Sequence, residues 1–203
     1  MEQWPRRSHY NFFKDFDEPF FGVSADVDCT HAFQHYKKLK TSFFIYYLHK
    51  SLMAVNSIEE FRYRIEEDQV YVYDQIGASA TINRPDGTFG FSYIDFYEDY
   101  KTFEGRAIAE IEKVRADNQL IPGSTSANII HYSSLPWVKF TSISHARNFD
   151  GKDSVPKITF GKVYEEGKAL KMPVSVHAHH ALMDGYHVSR YFQQFEALLG
   201  YKE

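Results

Sequence analysis

The apolar pattern of this chain runs from Phe12 to Leu199 with no repeat, low-complexity tract or Ser/Pro/Gly-rich linker to divide it. A chain of 203 residues patterned in this way has one hydrophobic core to build, so a single domain over residues 1–203 is expected. Two periods alternate inside the pattern. Thr41 and Ser42 precede Phe44, Tyr47, Leu48, Leu52 and Val55 at helical spacing, with Lys50 and Asn56 on polar faces, which predicts a capped helix. Phe61–Ile65, the Glu66-Glu67-Asp68 turn and Val70–Tyr73 read as a hairpin. Strands follow at Ala78–Asn83 and Phe89–Tyr93 around the Arg84-Pro85-Asp86-Gly87 turn.

Thr102 then opens a second helix, whose stripe is Phe103, Ala107, Ile108, Ile111 and Val114. Further strands are expected at Asn128–Ser133, Trp137–Ile143, Lys157–Tyr164 and Ala169–His177. A last helix carries Val188, Tyr191, Phe192, Phe195, Leu198 and Leu199, with Gly200 as its stop. The strands come in hairpin-like pairs rather than in strict βαβ alternation, and neither GxGxxG nor GxxxxGK[ST] occurs. The expectation is an α+β protein with a mixed sheet, not a doubly wound dinucleotide fold.

Charge narrows the partners. Lys plus Arg is 23 against 27 Asp plus Glu, a net −4, which offers no electrostatic footprint for nucleic acid or an anionic membrane surface. Phe43 to Leu48, the longest apolar run, is far short of a membrane span, and the start lacks a secretory h-region. One cysteine, Cys29, cannot make an intrachain disulfide. These features read together as a soluble, cytoplasmic protein. Aromatic residues make up 17% of the chain, which leaves core, interface and pocket as open assignments for them.

Chemistry concentrates near the C-terminus, where His177, His179, His180 and His187 crowd into one strand-to-helix junction. Three roles fit such a cluster. The imidazoles can be zinc ligands, although strand geometry sends 177 and 179 to one face and 180 to the other, and no second cysteine helps. They can be structural, with Asp184 capping the helix that begins near Gly185. Or one of them can take a proton from a substrate hydroxyl or amine.

The string His179-His180-Ala181-Leu182-Met183-Asp184-Gly185 has the form His-His-x-x-x-Asp-Gly. It resembles the active-site motif of the coenzyme A-dependent acyltransferases, and the following Tyr186-His187-Val188 narrows the resemblance to the chloramphenicol acetyltransferase family. The likeness extends along the chain from about Trp4 to Leu199. It takes in Trp4-Pro5-Arg6-Arg7, Ala54-Val55-Asn56, Phe61-Arg62, Tyr73-Asp74 and Thr88-Phe89. Further on it takes in Ser133-Ser134-Leu135-Pro136-Trp137-Val138, Lys162, Glu166-Gly167 and Pro173-Val174-Ser175-Val176, all in family order.

This resemblance implies a two-layer α/β sandwich with a mixed, largely antiparallel sheet, assembled as a homotrimer with active sites at the subunit interfaces. It implies O-acetyl transfer from acetyl-CoA, a co-substrate rather than a bound cofactor, to a hydroxyl of chloramphenicol or a related small molecule, with antibiotic resistance as the associated role. No metal is implied. His180 would be the general base, Ser133 the oxyanion donor and Thr159 an assistant acting through water. Asp184 would pair with Arg6 to fix the loop, Lys162 would sit near a coenzyme A phosphate, and Phe12, Phe13, Phe89, Phe91 and His131 would line the acceptor site. His179 and His187 read as structural or packing residues.

Against the family pattern, Phe13 stands where Tyr is common, Phe91 where a small residue is usual, and His131 where Asn precedes the Ser by two positions. Ile143-Ser144-His145 replaces an Asn/Leu-rich stretch. A different small acceptor, a dihydrolipoamide acyltransferase core and a non-catalytic trimeric binding protein are the alternatives.

Overall fold

The computed structural model describes residues 4–120, 126–147 and 153–200. Its elements run α1 (Arg7–Phe13), β1 (Phe20–Asp28), α2 (Thr30–Leu39), α3 (Phe43–Asn56), a short 3₁₀ turn (Glu59–Arg62), β2 (Tyr63–Glu66) and β3 (Gln69–Val72). They continue with β4 (Gly77–Asn83), β5 (Phe89–Ile94), α4 (Tyr100–Ala116) and β6 (Ile129–Ser134), then β7 (Lys157–Phe160), β8 (Tyr164–Glu166), β9 (Ala169–His179) and α5 (Gly185–Gly200). The main sheet has the order β1-β9-β7-β6-β4-β5, with β8 added against β9, while β2 and β3 form a separate hairpin. Only β4–β6 and β6–β7 pair in parallel; the other ladders are antiparallel. The expected mixed, largely antiparallel sandwich is therefore the observed one.

Strand residues two apart share a face, so each strand divides its side chains between two environments. One face carries Val27, Val174, Val176, Ala178, Ile158, Phe160, Ile130, Ala78, Ala80 and Ile82, all buried. Helices α3, α4 and α5 cover it with Leu48, Leu52, Val55, Phe103, Ala107, Val188, Tyr191 and Phe195. Polar links fix the packing. Ser51 of α3 lies 3.0 Å from the Tyr132 hydroxyl and 2.7 Å from that of Tyr191, joining sheet, α3 and α5 inside the core. Arg64, fully buried, donates to the carbonyls of Phe61, Tyr63, Ala127 and Ile129 and so fastens the β2–β3 hairpin to the start of β6.

Several expectations are corrected. Trp137–Ile143 is not a strand: β6 and β7 are parallel neighbours, a pairing that requires a crossover, and this segment begins it. Lys157–Tyr164 is split at Gly161, whose amide bonds Pro173 O at 2.8 Å in the β7–β9 register; Pro173 has no N–H to return the bond, and the ladder ends there. Asp99, not Thr102, caps α4, accepting from both the Thr102 amide and its hydroxyl. Ile108 is exposed, and Lys50, placed on a polar face by its charge, is buried with its ammonium over the Tyr46 ring. Helices α1 and α2 and strand β1 are additional elements. Residues Phe21, Val23, Ala25 and Val27 of β1 do alternate, but its full pairing with β9 becomes visible only in the fold.

Candidate active site

His180 sits where β9 ends and turns toward α5. Its amide donates to Pro19 O at 2.8 Å, and its ring stacks on Phe13 at 4.2 Å and 6°, with Phe21 4.7 Å away on a tilted plane. The Nδ1 atom is buried with no hydrogen-bond partner among the described residues, which leaves Nε2 as the nitrogen a substrate can reach. The loop itself is clamped: Arg6 Nη1 donates to Asp184 Oδ2 at 2.6 Å, and Nη2 donates to the His180 carbonyl at 3.2 Å. The expected Arg6–Asp184 pair is thus a direct contact. Burial alone raises the Asp184 carboxyl's pKa, but the Arg6 hydrogen bond and the nearby His187 outweigh it and hold the group below the ordinary 3.8.

Sequence reading gave His187 no more than packing. In the fold it stands between two carboxylates, with Nδ1 2.9 Å from Asp184 Oδ1 and Nε2 3.3 Å from Glu60 Oε1. Its Nδ1 also lies 3.2 Å from the Asp184 amide, so the ring is held at both atoms of that residue. Asp184 is three residues earlier in the chain, while Glu60, more than a hundred residues away, could be found only from tertiary structure. His179 is buried; its Nδ1 accepts from the Ala181 amide at 3.2 Å, and desolvation pushes its pKa down to about 4.

Ser133 and Thr159 are direct cross-strand partners on β6 and β7, and Thr159 is in turn opposite Ser175 of β9. The Thr159 hydroxyl, fully buried, lies 3.4 Å from His145 Nε2. His131 shares the Ser133 face two residues earlier, and burial lowers its pKa to about 4. Phe89 and Phe91 form an edge-to-face pair 5.6 Å apart on β5, at the far edge of the sheet, whereas Phe12, largely exposed, packs on Phe13 beside His180.

The predicted residues therefore fall into two groups. From Ser175, level with Thr159, β9 runs four residues to His179, roughly 13 Å of strand, and Ser133 lies two strands to the side, roughly 10 Å. His180 and Ser133 of one chain are then on the order of 16 Å apart, far beyond hydrogen-bond reach. The two groups also sit at opposite ends of the sheet, because β9 runs antiparallel to β7.

A cleft of about 620 Å³ opens at the C-terminal ends of β4 and β6. Phe43, Phe44, Tyr47, Ser134, Trp137 and Arg115 are among its walls, and Tyr47 is fixed to Ser134 by a 2.6 Å hydroxyl contact. Lys162 is exposed just past the end of β7, at this same end of the sheet. No three His, Cys, Asp or Glu side chains among the described residues are arranged to hold a metal ion. No helix among them is long and apolar enough to cross a membrane.

Residues 1–196 match the family model described as Chloramphenicol acetyltransferase. The chain belongs to the chloramphenicol acetyltransferase family. It is 29% identical to chloramphenicol acetyltransferase 3 of Escherichia coli, covering 100% of this chain and 96% of that one. It is 31% identical to a chloramphenicol acetyltransferase of Bacillus pumilus, covering 98% and 91%. A solved chloramphenicol acetyltransferase superposes with a TM-score of 0.91 at 30% identity, over 98% of this chain and 96% of that one. The cubic core of the pyruvate dehydrogenase multienzyme complex shares the fold, with a TM-score of 0.70 at 15% identity over 89% and 81%. Membership of this acetyltransferase family makes the chain an acyltransferase, and the non-catalytic alternative falls.

Proposed function

We propose that this protein is an acetyl-CoA-dependent O-acetyltransferase that acts in a ternary complex on a small hydroxyl compound, chloramphenicol or a different small acceptor. The observation that carries the reading is the clamped His180: a stacked imidazole with one nitrogen buried, on a loop fastened by Arg6 and Asp184. That geometry suits a general base whose aim must not drift.

In the proposed reaction His180 Nε2 takes the acceptor's hydroxyl proton as the oxygen bonds to the thioester carbonyl carbon. The carbonyl oxygen becomes an oxyanion, and the Ser133 hydroxyl donates to it. Collapse of the tetrahedral intermediate breaks the carbon–sulfur bond, and the departing thiolate recovers the proton from the imidazolium. Acetyl ester and free coenzyme A thiol are the products, with no acyl-enzyme between. Thr159 sits beside Ser133 to hold a water at the oxyanion. The cleft at Ser134 and Trp137 suits the pantetheine arm, with Lys162 at its end for a phosphate.

The separation of His180 from Ser133 within one chain supports a site shared between copies. Cyclic assembly brings the His180 group of one subunit against the Ser133 group of the next, and a homotrimer does this three times. The main sheet, which takes strands from residue 20 to residue 179, supports reading the chain as one domain. The test is thiol release from acetyl-CoA with chloramphenicol and other hydroxyl acceptors. Release by the wild type and none above background by His180→Ala is expected; equal rates from both proteins with every acceptor would overturn the reading.

A further inference from the structure

The sheet face that carries Ser133 is polar almost from edge to edge. Reading across the ladders, one row is Gly22, His177, Lys157, His131, Ser79 and Tyr93, and the next contains Ser24, Ser175, Thr159 and Ser133. The crossover segment adds His145, which lies against Thr159 and meets the His177 ring edge-on at 4.8 Å. Gly22 leaves space for this arrangement, since a Cβ there would lie 2.8 Å from the His177 ring. The fully buried Ser175 hydroxyl has no hydrogen-bond partner among the described residues. Aromatic residues on this side, Phe20 of β1 and Phe89, Phe91 and Tyr93 of β5, stand on the outer strands of the main sheet, and those of β5 are two strands away from Ser133.

The cations on this face are already answered. Lys157 donates to Asp153 at 2.5 Å and to Val155 O at 3.2 Å, and Arg147 is paired with Glu18 while approaching His177 Nδ1 at 3.5 Å. Burial keeps His131 and His145 neutral down to about pH 4, so each offers one N–H donor and one acceptor nitrogen.

We propose that the acceptor half of this site selects an uncharged, multiply hydroxylated acceptor, and that His145, together with His131, sets that preference. The proposal rests on the acetyltransferase reading above and names its acceptor class. Beside Ser133 this face presents Thr159 across the ladder, His131 two residues earlier on the same strand, and His145 against Thr159. An apolar aryl group in that place leaves their hydrogen-bonding atoms desolvated and unpaired, whereas a polyhydroxylated group pairs them. A site built from such groups discriminates strongly against a ligand that lacks the matching hydroxyls.

The experiment measures kcat/KM by thiol release from acetyl-CoA with chloramphenicol, benzyl alcohol, methyl glucoside and N-acetylglucosamine. The wild type is expected to favour the two sugars over the two aryl compounds by about tenfold or more. His145→Leu is expected to shrink that ratio about tenfold, while His145→Gln, which keeps a donor and an acceptor, preserves most of it. If His145→Leu fails to fold, as judged by thermal unfolding, His131→Leu takes its place. A wild type that favours chloramphenicol or benzyl alcohol, or a ratio untouched by the Leu variant, overturns the acceptor class and leaves the transferase standing. Thiol release no faster than that of His180→Ala with all four acceptors overturns the underlying transferase reading, and the acceptor class with it.

Discussion

The Phe13 ring lies 4.2 Å from the His180 ring and within 6° of parallel. With Phe21 4.7 Å away, this contact restrains the ring torsion of an imidazole whose Nδ1 makes no hydrogen bond among the described residues. Phe13→Ala is therefore expected to lower kcat about tenfold, since loss of alignment acts on the chemical step, with a smaller change in KM. Phe13→Tyr keeps the stack and most of kcat. Steady-state kinetics on the two variants checks the difference.

Asp184 accepts from Arg6, which also holds the His180 carbonyl, so removing either charge frees the loop that aims the imidazole. Arg6→Ala and Asp184→Asn are each expected to cost about tenfold to a hundredfold in kcat, and the double variant is expected to cost no more than the worse single one. The Asp184 carboxyl is held below its unfolded value, so its contribution to stability is complete above pH 3.8 and is lost as pH falls through the lower folded value. Asp184→Asn should accordingly flatten the most acidic part of the stability profile.

His131, His145 and His179 are each pushed down to about 4 from the ordinary 6.5, in every case first by burial. Between those values the unfolded chain binds protons that the fold does not, so stability is full above pH 6.5 and declines as pH falls toward 4. Unfolding temperatures measured across this window are expected to fall with pH. His179→Gln should reduce the slope.

Arg64 is wholly buried, and its guanidinium is satisfied by four backbone carbonyls, with no carboxylate paired to it among the described residues. Arg64→Leu strands those carbonyls, and a loss of about 3 kcal/mol is expected, with a fall in Tm of about 6–12 °C. Lys at this position presents one ammonium instead of a planar fork and should recover only part of the loss. Chemical and thermal unfolding of the variants measures both.

If His180 and Ser133 of different copies share a site, inactive His180→Ala and Ser133→Ala subunits complement each other. Randomly mixed rings then contain intact sites at about one quarter of their interfaces. Co-refolded mixtures should recover activity that neither variant shows alone, and an additive mixture would mean that each chain carries a complete site.

Much of this architecture was legible because local rules decide it. The helical spacing from Phe44 to Val55, the strand at Ala78–Asn83 and the Asp184-Gly185 junction are local patterns that the chain itself encodes, although α3 and β4 are buried on more than the one face those patterns mark. Trp137–Ile143 misled for the same reason: its apolar residues look like a strand, but parallel β6 and β7 require a crossover at that point. Lys50 misled because charge is only a prior for exposure, and an aromatic face can receive an ammonium.

The sequence by itself determined the strand-to-helix junction that bears His180 and the resemblance to the family, since these reside in residue types and their order, and that resemblance implied the pairing of Arg6 with Asp184. Only the tertiary structure decided that His187 bridges Asp184 and Glu60, that His145 covers Thr159, and that Ser133 and His180 stand at opposite ends of one sheet. Those relationships follow from strand register and crossover direction, which bring together residues far apart in sequence and separate others that a motif suggests are adjacent. No local pattern carries that information, because register is fixed by the packing of the whole sheet against its helices.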